Sequence, residues 1–265
     1  MFRVHIYKLM VLFERWTFKL ARVSIATNES YKQIAIERGG MTPDDVYVVR
    51  SGPDLSKIKP VEPVEKWKNG RIHLVGYVGV MGAQEGIDLL LESIKHLVEI
   101  EKREDIQFVL VGGGSALDDL KAQSAEMGLE DYVTFTGRAP DQDLFEVLST
   151  ADVCVNPDRV NPMNDKSTMN KIMEYMAFAK PIVQFEVTEG RVSAQESSLY
   201  AAPNDPIDMA AKITELLADP ARCAEMGRFG QKRVREELGW DKSVKPLLAA
   251  YRKILGLPKA EGERV

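Results

Sequence analysis

The sequence predicts an α/β fold, a parallel sheet with helices on both faces, and three observations carry that expectation. Short runs of uninterrupted apolar residues, such as 72–78, 108–111 and 182–185, suit strands buried on both sides. Between them lie amphipathic stretches, among them residues 87–100, with apolar side chains at 87, 90, 91, 94, 97 and 98. Strand and helix signals then alternate from residue 69 onward, the pattern of a parallel sheet connected by crossover helices.

In chain order, residues 8–20 read as a helix and 23–26 as a short strand. The strand ends in Thr27, Asn28, Glu29 and Ser30, a polar cluster that can cap a helix running through Arg38, which Gly39 and Gly40 then stop. Residues 46–49 form another short strand. From Ser51-Gly52-Pro53 to about Trp67, Pro53, Pro60 and Pro63 interrupt a stretch without helical or strand period, which reads as a linker. The few elements before it cannot close a doubly wound domain, because such a sheet needs several βα units to cover both faces. Residues 1–52 are therefore expected to be the remnant of an N-terminal domain, 53–68 the linker, 69–238 the main domain, and 239–265 a terminal helix and tail. Within the main domain strands are expected at 72–78, 108–111, 133–135, 153–155 and 182–185, with helices at 87–100, 116–127, 143–149 and 168–178. Beyond 199–202 the chain reads as helical over 206–217, 221–238 and 244–255.

Composition narrows the classes of function. Of the 265 residues 45% are hydrophobic and 28% charged, enough for a real core. The formal charge of -5, with acids and bases interspersed, gives no general attraction to nucleic acid, and no such partner is expected. Cys154 and Cys223 lie far apart without paired spacing, and His5, His73 and His96 are scattered, so neither a disulfide framework nor a metal centre is indicated. A cytoplasmic setting fits. No run approaches the ~18 apolar residues needed to cross a bilayer. Residues 1–23 mix Arg3, Lys8, Arg15, Lys19 and Arg22 with Leu, Phe and Trp, which suits a helix lying on an anionic membrane surface and also one packed against protein.

Ligands of open parallel sheets sit beyond the carboxyl ends of the strands, so the loops there hold the candidate chemistry. The loop from Gly76 to Gly86 carries Gly79 and Gly82 just ahead of a helix, where glycine serves a tight turn as readily as the close approach of a phosphate. Gly112-Gly113-Gly114 has the same ambiguity, and GGGSAL lacks the third glycine of a dinucleotide fingerprint. The loop at 165–168 is more specific. Ser167 or Thr168 is placed to cap the helix that follows, leaving its first N–H groups to face an anion. Lys171 and Glu174, three apart, share a helix face. A carboxylate there can accept two vicinal ribose hydroxyls and the lysine can offset phosphate charge; the alternative is an exposed ion pair between the two.

The run N-K-I-M-E-Y-M-A-F-A-K-P-I-V at 170–183 resembles the K-x-x-E-Y-M-A-x-G-K-P-V element of retaining glycosyltransferases usually numbered family 4, built from two facing Rossmann-like domains. TNESYKQIAIERGG, VVRSGPD, YVGVMGAQEGIDLLLESI, FVLVGGG, VTFTGRAP and ADVCVNP follow that family's order, so the resemblance spans nearly all of residues 20–255. It implies the C-terminal half of a GT-B fold, with hexosyl transfer from a nucleoside diphosphate sugar, retention at the anomeric carbon, and neither metal nor cofactor. Donor contacts would fall on Gly79, Gly82, Gly137, Arg138, Asn156, Lys166, Ser167, Thr168, Met169, Lys171 and Glu174, with Glu174 on the ribose. No catalytic residue is assigned. The acceptor, whether glycan, lipid or small molecule, is left open, since acceptor binding in this family belongs mostly to the N-terminal domain.

Three departures from the family pattern bear on function. Where the family commonly has an arginine and a lysine in its first loop, this chain has Val80 and Glu85, and where it commonly has a first glutamate, this chain has Lys166. Lys166, Lys171 and Arg138 are then the cations available to replace the lost charge around a diphosphate. A non-catalytic sugar-nucleotide-binding or interaction module is the alternative. A sugar-nucleotide epimerase on the same architecture would need its own acid and base groups, and none is visible. An unfinished N-terminal domain should also expose an apolar face, to be covered by self-association or by a missing N-terminal half.

Overall fold

The computed structural model describes residues 2–258. The tail expected at the C-terminus lies, from residue 259 on, outside the described residues. The chain opens with α1 (Phe2–Leu20), β1 (Ser24–Ala26), α2 (Glu29–Glu37) and β2 (Val46–Val48). β1 and β2 pair in parallel, and Ala26, Ala35, Met41 and Val46 form a small core against which Phe18 packs. Asn28 caps α2 as its sequence suggests, accepting from Tyr31 N–H at 2.8 Å. α1 keeps one stripe, Ile6, Leu9, Phe13, Trp16 and Leu20, exposed to solvent. Exposed Lys8, Arg15 and Lys19 flank it.

The proline-rich segment carries no regular element until a short 3₁₀ turn at Glu65–Lys68. It is nevertheless tied down along α5 (Asp141–Thr150). Val61 N–H donates to Ser149 Oγ at 3.0 Å, Val64 N–H to Thr150 Oγ1 at 2.8 Å, and Trp67 Nε1 to Glu146 at 3.0 Å.

The main body is a six-stranded parallel sheet in the order β5-β4-β3-β6-β7-β8. Its strands are β3 (His73–Val78), β4 (Ile106–Val111), β5 (Val133–Gly137), β6 (Val153–Asn156), β7 (Ile182–Phe185) and β8 (Ser198–Ala201). Because successive side chains alternate across a strand, Val75 and Tyr77 point to one face and Leu74 and Val78 to the other. α3 (Ile87–Glu99) and α8 (Pro206–Leu217) cover the first face with Leu90, Leu91, Ile94, Met209 and Ile213. α4 (Leu117–Glu126) adds Leu120. The second face is closed by Val147 and Leu148 of α5 and by Ile172, Met173 and Met176 of α6 (Asn170–Ala177). Both faces are apolar and covered, as the uninterrupted strand sequences require.

After α7 (Thr188–Ala194) and β8, α9 (Pro220–Arg233) ends in a π turn over Val234–Leu238. α10 (Trp240–Leu255) then returns to the small sheet, where Lys253 pairs with Asp45 at 2.7 Å. The chain thus crosses between the two sheets twice at one place, with Trp240 N–H donating to Pro53 O at 3.0 Å.

Four local expectations are corrected. The helix expected at 168–178 starts only at Asn170, with Met169 in the cap position and no side chain capping it. Ser167 and Thr168 do not cap because their hydroxyls are engaged elsewhere: Ser167 Oγ donates to Met163 O at 2.8 Å, and Thr168 Oγ1 accepts from Asn28 at 3.0 Å. α7 was not expected, since TEGRVSA has no apolar period. The last two helices differ in extent: a π turn ends the expected 221–238 helix, and α10 begins at Trp240.

Candidate functional site

The strand order reverses between β3 and β6. The chain leaves β3 to build β4 and β5 on one side, then crosses back to lay β6 on the other. At such a switch point neighbouring loops diverge and leave a crevice beyond the strand ends. Here the loop after β3 (79–86) meets the loop after β6 (157–169).

The two loops are laced together. Arg159 N–H donates to Gln84 O at 3.2 Å, Asn164 Nδ2 donates to the same carbonyl at 2.9 Å and to Arg159 O at 2.9 Å. The Arg159 guanidinium pairs with Asp88. Gly86 lies at the contact with φ +65°, and a methyl group there would come within 2.0 Å of Pro157 O, so both its backbone angle and its lack of a side chain are required.

Beneath this lacing sits a buried charge cluster. Lys171 Nζ, at the start of α6, lies 2.6 Å from Glu85 Oε2, 3.0 Å from Asp158 Oδ2 and 3.4 Å from the Tyr77 hydroxyl. Burial opposes the charge on Lys171, but Asp158, Tyr77 and Glu85 together hold its pKa above the ordinary lysine value. Burial, opposed by Lys171 and reinforced by Glu85, pushes the Asp158 carboxyl up to about 7. Gly79 is packed on this cluster, where a methyl group would stand 3.2 Å from Lys171 Cε. The exposed Lys171–Glu174 pair considered from the sequence is therefore corrected. Lys171 is buried, and the opposite charges it meets come from the two loops.

Glu174, one turn further along α6, has no hydrogen-bond partner for its carboxylate among the described residues. It is half-buried, and burial raises its pKa above the usual value, with Lys171 acting in the opposite direction. It lines a pocket of about 250 Å³ with Pro53, Asp54, Lys57 and Ile58 of the proline-rich segment, Asp141, Leu144 and Phe145 of α5, and Phe178. Above it, the main-chain N–H groups of Thr168, Met169, Asn170 and Lys171 find no acceptor among the described residues. Four open donors at a helix start favour negative charge.

The remaining sequence-selected residues spread along the same rim. Gly82 lies in the first loop, next to the Gln84 side chain. Gly137, at φ +67°, ends β5, and its carbonyl accepts from Gly112 N–H at 3.0 Å. Arg138 follows it, exposed and without an ion-pair partner among the described residues. It stands just past the end of β5, three strands from β6, so the charge cluster and Arg138 flank the crevice rather than meet. Lys166 also presents an exposed side chain without an ion-pair partner among the described residues. Asn156 is 1% exposed at the end of β6, and neither of its amide atoms has a partner among the described residues.

Sequence reasoning did not place Glu85 beside Lys171, nor connect Asn28 and Glu189 with this rim. Asn28 Nδ2 reaches Lys166 O at 2.8 Å, and Glu189 accepts from Ser30 Oγ at 2.6 Å. The polar cluster at 27–30 signalled only the cap, because contacts across 138 residues leave no local pattern. No three His, Cys, Asp or Glu side chains gather into a metal-binding group among the described residues.

Comparison with known proteins gives this arrangement a context. The chain is 27% identical over 269 residues to a 2-deoxystreptamine glucosyltransferase of Streptomyces kanamyceticus, covering 94% of this chain and 65% of that protein. It is 29% identical over 264 residues to a D-inositol 3-phosphate glycosyltransferase of Thermomonospora curvata, covering 90% and 58%. It thus spans less than two thirds of the length of either relative. In fold it is similar to a sucrose-phosphate synthase from Thermosynechococcus elongatus, with a TM-score of 0.78, 23% identity, and 94% of this chain and 62% of that chain covered. It is also similar to HepE of Anabaena, solved with UDP-glucose, with a TM-score of 0.76, 17% identity, and 93% and 68% covered. The family described as glycosyl transferases group 1 matches residues 72–219, which hold the whole six-stranded sheet and both loops of the crevice, and the chain belongs to that family.

Proposed function

We propose that this chain is the donor-binding half of a retaining glycosyltransferase that moves a hexosyl unit from a nucleoside diphosphate sugar. The observation that carries the reading is the unpartnered carboxylate of Glu174 one turn below the open N–H groups of Thr168 to Lys171. A ribose placed in the pocket at Glu174 can offer two hydroxyls to that carboxylate while its diphosphate reaches the helix start. Support comes from the names of the relatives and from the UDP-glucose seen in HepE, a protein of the same fold.

The charge for the diphosphate is assigned to Lys166 and Arg138 together with the α6 N–H groups. Lys171 contributes through its main chain, since Glu85 and Asp158 already meet its ammonium. As the sugar leaves, negative charge grows on the β-phosphate, and fixed donors aimed there lower the barrier. The resemblance implies a metal-free reaction, in which these groups do the whole of that work. Residues 1–52 are read as the end of an N-terminal Rossmann-like domain, which supplies acceptor contacts in such enzymes.

The ion pairing of Lys171 with Glu85 and Asp158, which leaves its ammonium no free charge to offer, favours a second reading, a module that binds sugar nucleotides without turning them over. Calorimetric titration with UDP- and GDP-sugars tests binding, and release of nucleotide from the bound donor separates enzyme from module. Binding of none of these donors contradicts both readings. The apolar, basic-flanked outer stripe of α1 supports a separate property, peripheral contact with an anionic membrane surface, read by co-sedimentation with phosphatidylglycerol vesicles. Among the described residues no helix is long and apolar enough to cross a membrane.

A further inference from the structure

Asn28 stands at the start of α2 beside the small N-terminal sheet, yet two of its three side-chain hydrogen bonds serve the loop at the other side of the crevice. Its side chain is wholly buried. Oδ1 accepts from Tyr31 N–H at 2.8 Å and so caps α2. Nδ2 donates to Lys166 O at 2.8 Å and to Thr168 Oγ1 at 3.0 Å. The network fixes the amide orientation: an N–H needs the oxygen on one side, and the Lys166 carbonyl needs the nitrogen on the other. One residue therefore ends one helix and holds the segment that opens another.

Neighbouring contacts act in the same sense. The Tyr31 hydroxyl lies 3.1 Å from Ser167 Oγ. Glu189, 2% exposed on α7, accepts from Ser30 N–H at 3.3 Å and from Ser30 Oγ at 2.6 Å, and its other oxygen lies 3.7 Å from Arg50. Asp165 accepts from Thr188 N–H at 2.8 Å, fixing the residue just before Lys166. Yet Asn28 is the contact that reaches the main chain beside the open N–H groups. With Thr168 Oγ1 drawn toward Asn28, no side chain among the described residues caps α6, which leaves the helix start open.

We infer that Asn28 is a positioning residue for the anion-facing start of α6: its amide nitrogen holds residues 166–168 so that the N–H groups of Thr168 to Lys171 stay open to a phosphate. This rests on the donor reading above for the identity of the phosphate, and on the geometry alone for the positioning. It makes the N-terminal sheet a part of the donor site as well as a neighbour to it.

Two variants of the full chain separate the two ends of this side chain. Asn28→Asp and Asn28→Ser both keep an oxygen to cap α2 and both remove the Nδ2 donor, and serine does so without adding charge. Amide hydrogen exchange is compared at Lys166 and Ser167, whose N–H groups donate to Met163 O and Asn164 O, and over the interior of α2, and UDP affinity is measured by calorimetry. The expected result in both variants is exchange about tenfold faster at Lys166 and Ser167, the equivalent of one lost hydrogen bond, with α2 protection held. UDP affinity falls by a similar factor. Unchanged exchange at Lys166 and Ser167, or equal loosening of α2 and the loop, overturns the inference. Absence of UDP binding in the unaltered chain overturns the donor reading instead, while exchange still decides the role of Asn28.

Discussion

Lys171 and Glu85 form a buried ion pair, Nζ to Oε2 at 2.6 Å, that joins the start of α6 to the loop after β3 across the point where the strand order reverses. Asp158 completes it from the third side at 3.0 Å. Removing the cation leaves two carboxylates facing each other, whereas removing Glu85 leaves Lys171 with Asp158. Lys171→Met is therefore expected to destabilise the chain by about 3–5 kcal/mol, and Glu85→Gln by clearly less. Urea unfolding of both variants gives the ranking, and a larger loss for Glu85→Gln contradicts it.

Asp158 sets a pH dependence with a definite sign. Its folded pKa of about 7 stands above the unfolded value of 3.8. Between those values the folded state binds more protons, so this group's contribution falls as pH rises from about 4 to 7 and is level above that, with a slope of at most about 1.4 kcal/mol per pH unit. The stability of the unaltered chain relative to Asp158→Asn should fall over that window. A difference that rises from pH 5 to 7 contradicts the assignment.

Lys166 and Arg138 are the exposed cations on the rim, and neither has an ion-pair partner among the described residues. Lys166→Ala and Arg138→Ala are each expected to weaken UDP binding severalfold, about 1 kcal/mol, and to flatten its dependence on salt. Titrations at low and high salt measure both effects, and stability should be unaltered. Equal affinity in both variants rules out these residues as diphosphate contacts.

Gly86 combines φ +65° with an approach of 2.0 Å between its ideal Cβ and Pro157 O. Gly86→Ala strains the backbone and forces the two crevice loops apart. A loss of at least about 2 kcal/mol is expected in urea unfolding, with weaker nucleotide binding as well. A neutral alanine would show that the loops are not tightly laced.

The parallel sheet was legible because uninterrupted apolar strands separated by amphipathic helices have few other ways to bury both faces. Single residues of the crevice were legible where one helix contains them, as with Lys171 and Glu174. Their partners were not. Glu85 and Asp158 lie 73 residues apart and meet only because β3 and β6 are neighbours, a fact of strand order that no local spacing encodes. The cap expected from Ser167 or Thr168 failed for a related reason: Asn28, 140 residues from Thr168, competes for its hydroxyl. α7 left no trace because its seven residues, TEGRVSA, are mostly small or polar and carry no apolar stripe.

Glu174 holds the ribose in this reading, and a double cycle measures that contact directly. UDP and 2′-deoxy-UDP are titrated against the unaltered chain and against Glu174→Ala. Loss of the carboxylate should weaken UDP binding about 10–100-fold, and loss of the 2′-hydroxyl should weaken binding to the unaltered chain while changing it little in the variant. Folding stability should hold in the variant, since no hydrogen bond or ion pair among the described residues uses that carboxylate. If Glu174→Ala binds UDP as tightly as the unaltered chain, or if the two losses simply add, the ribose does not lie on Glu174 and the donor site lies elsewhere.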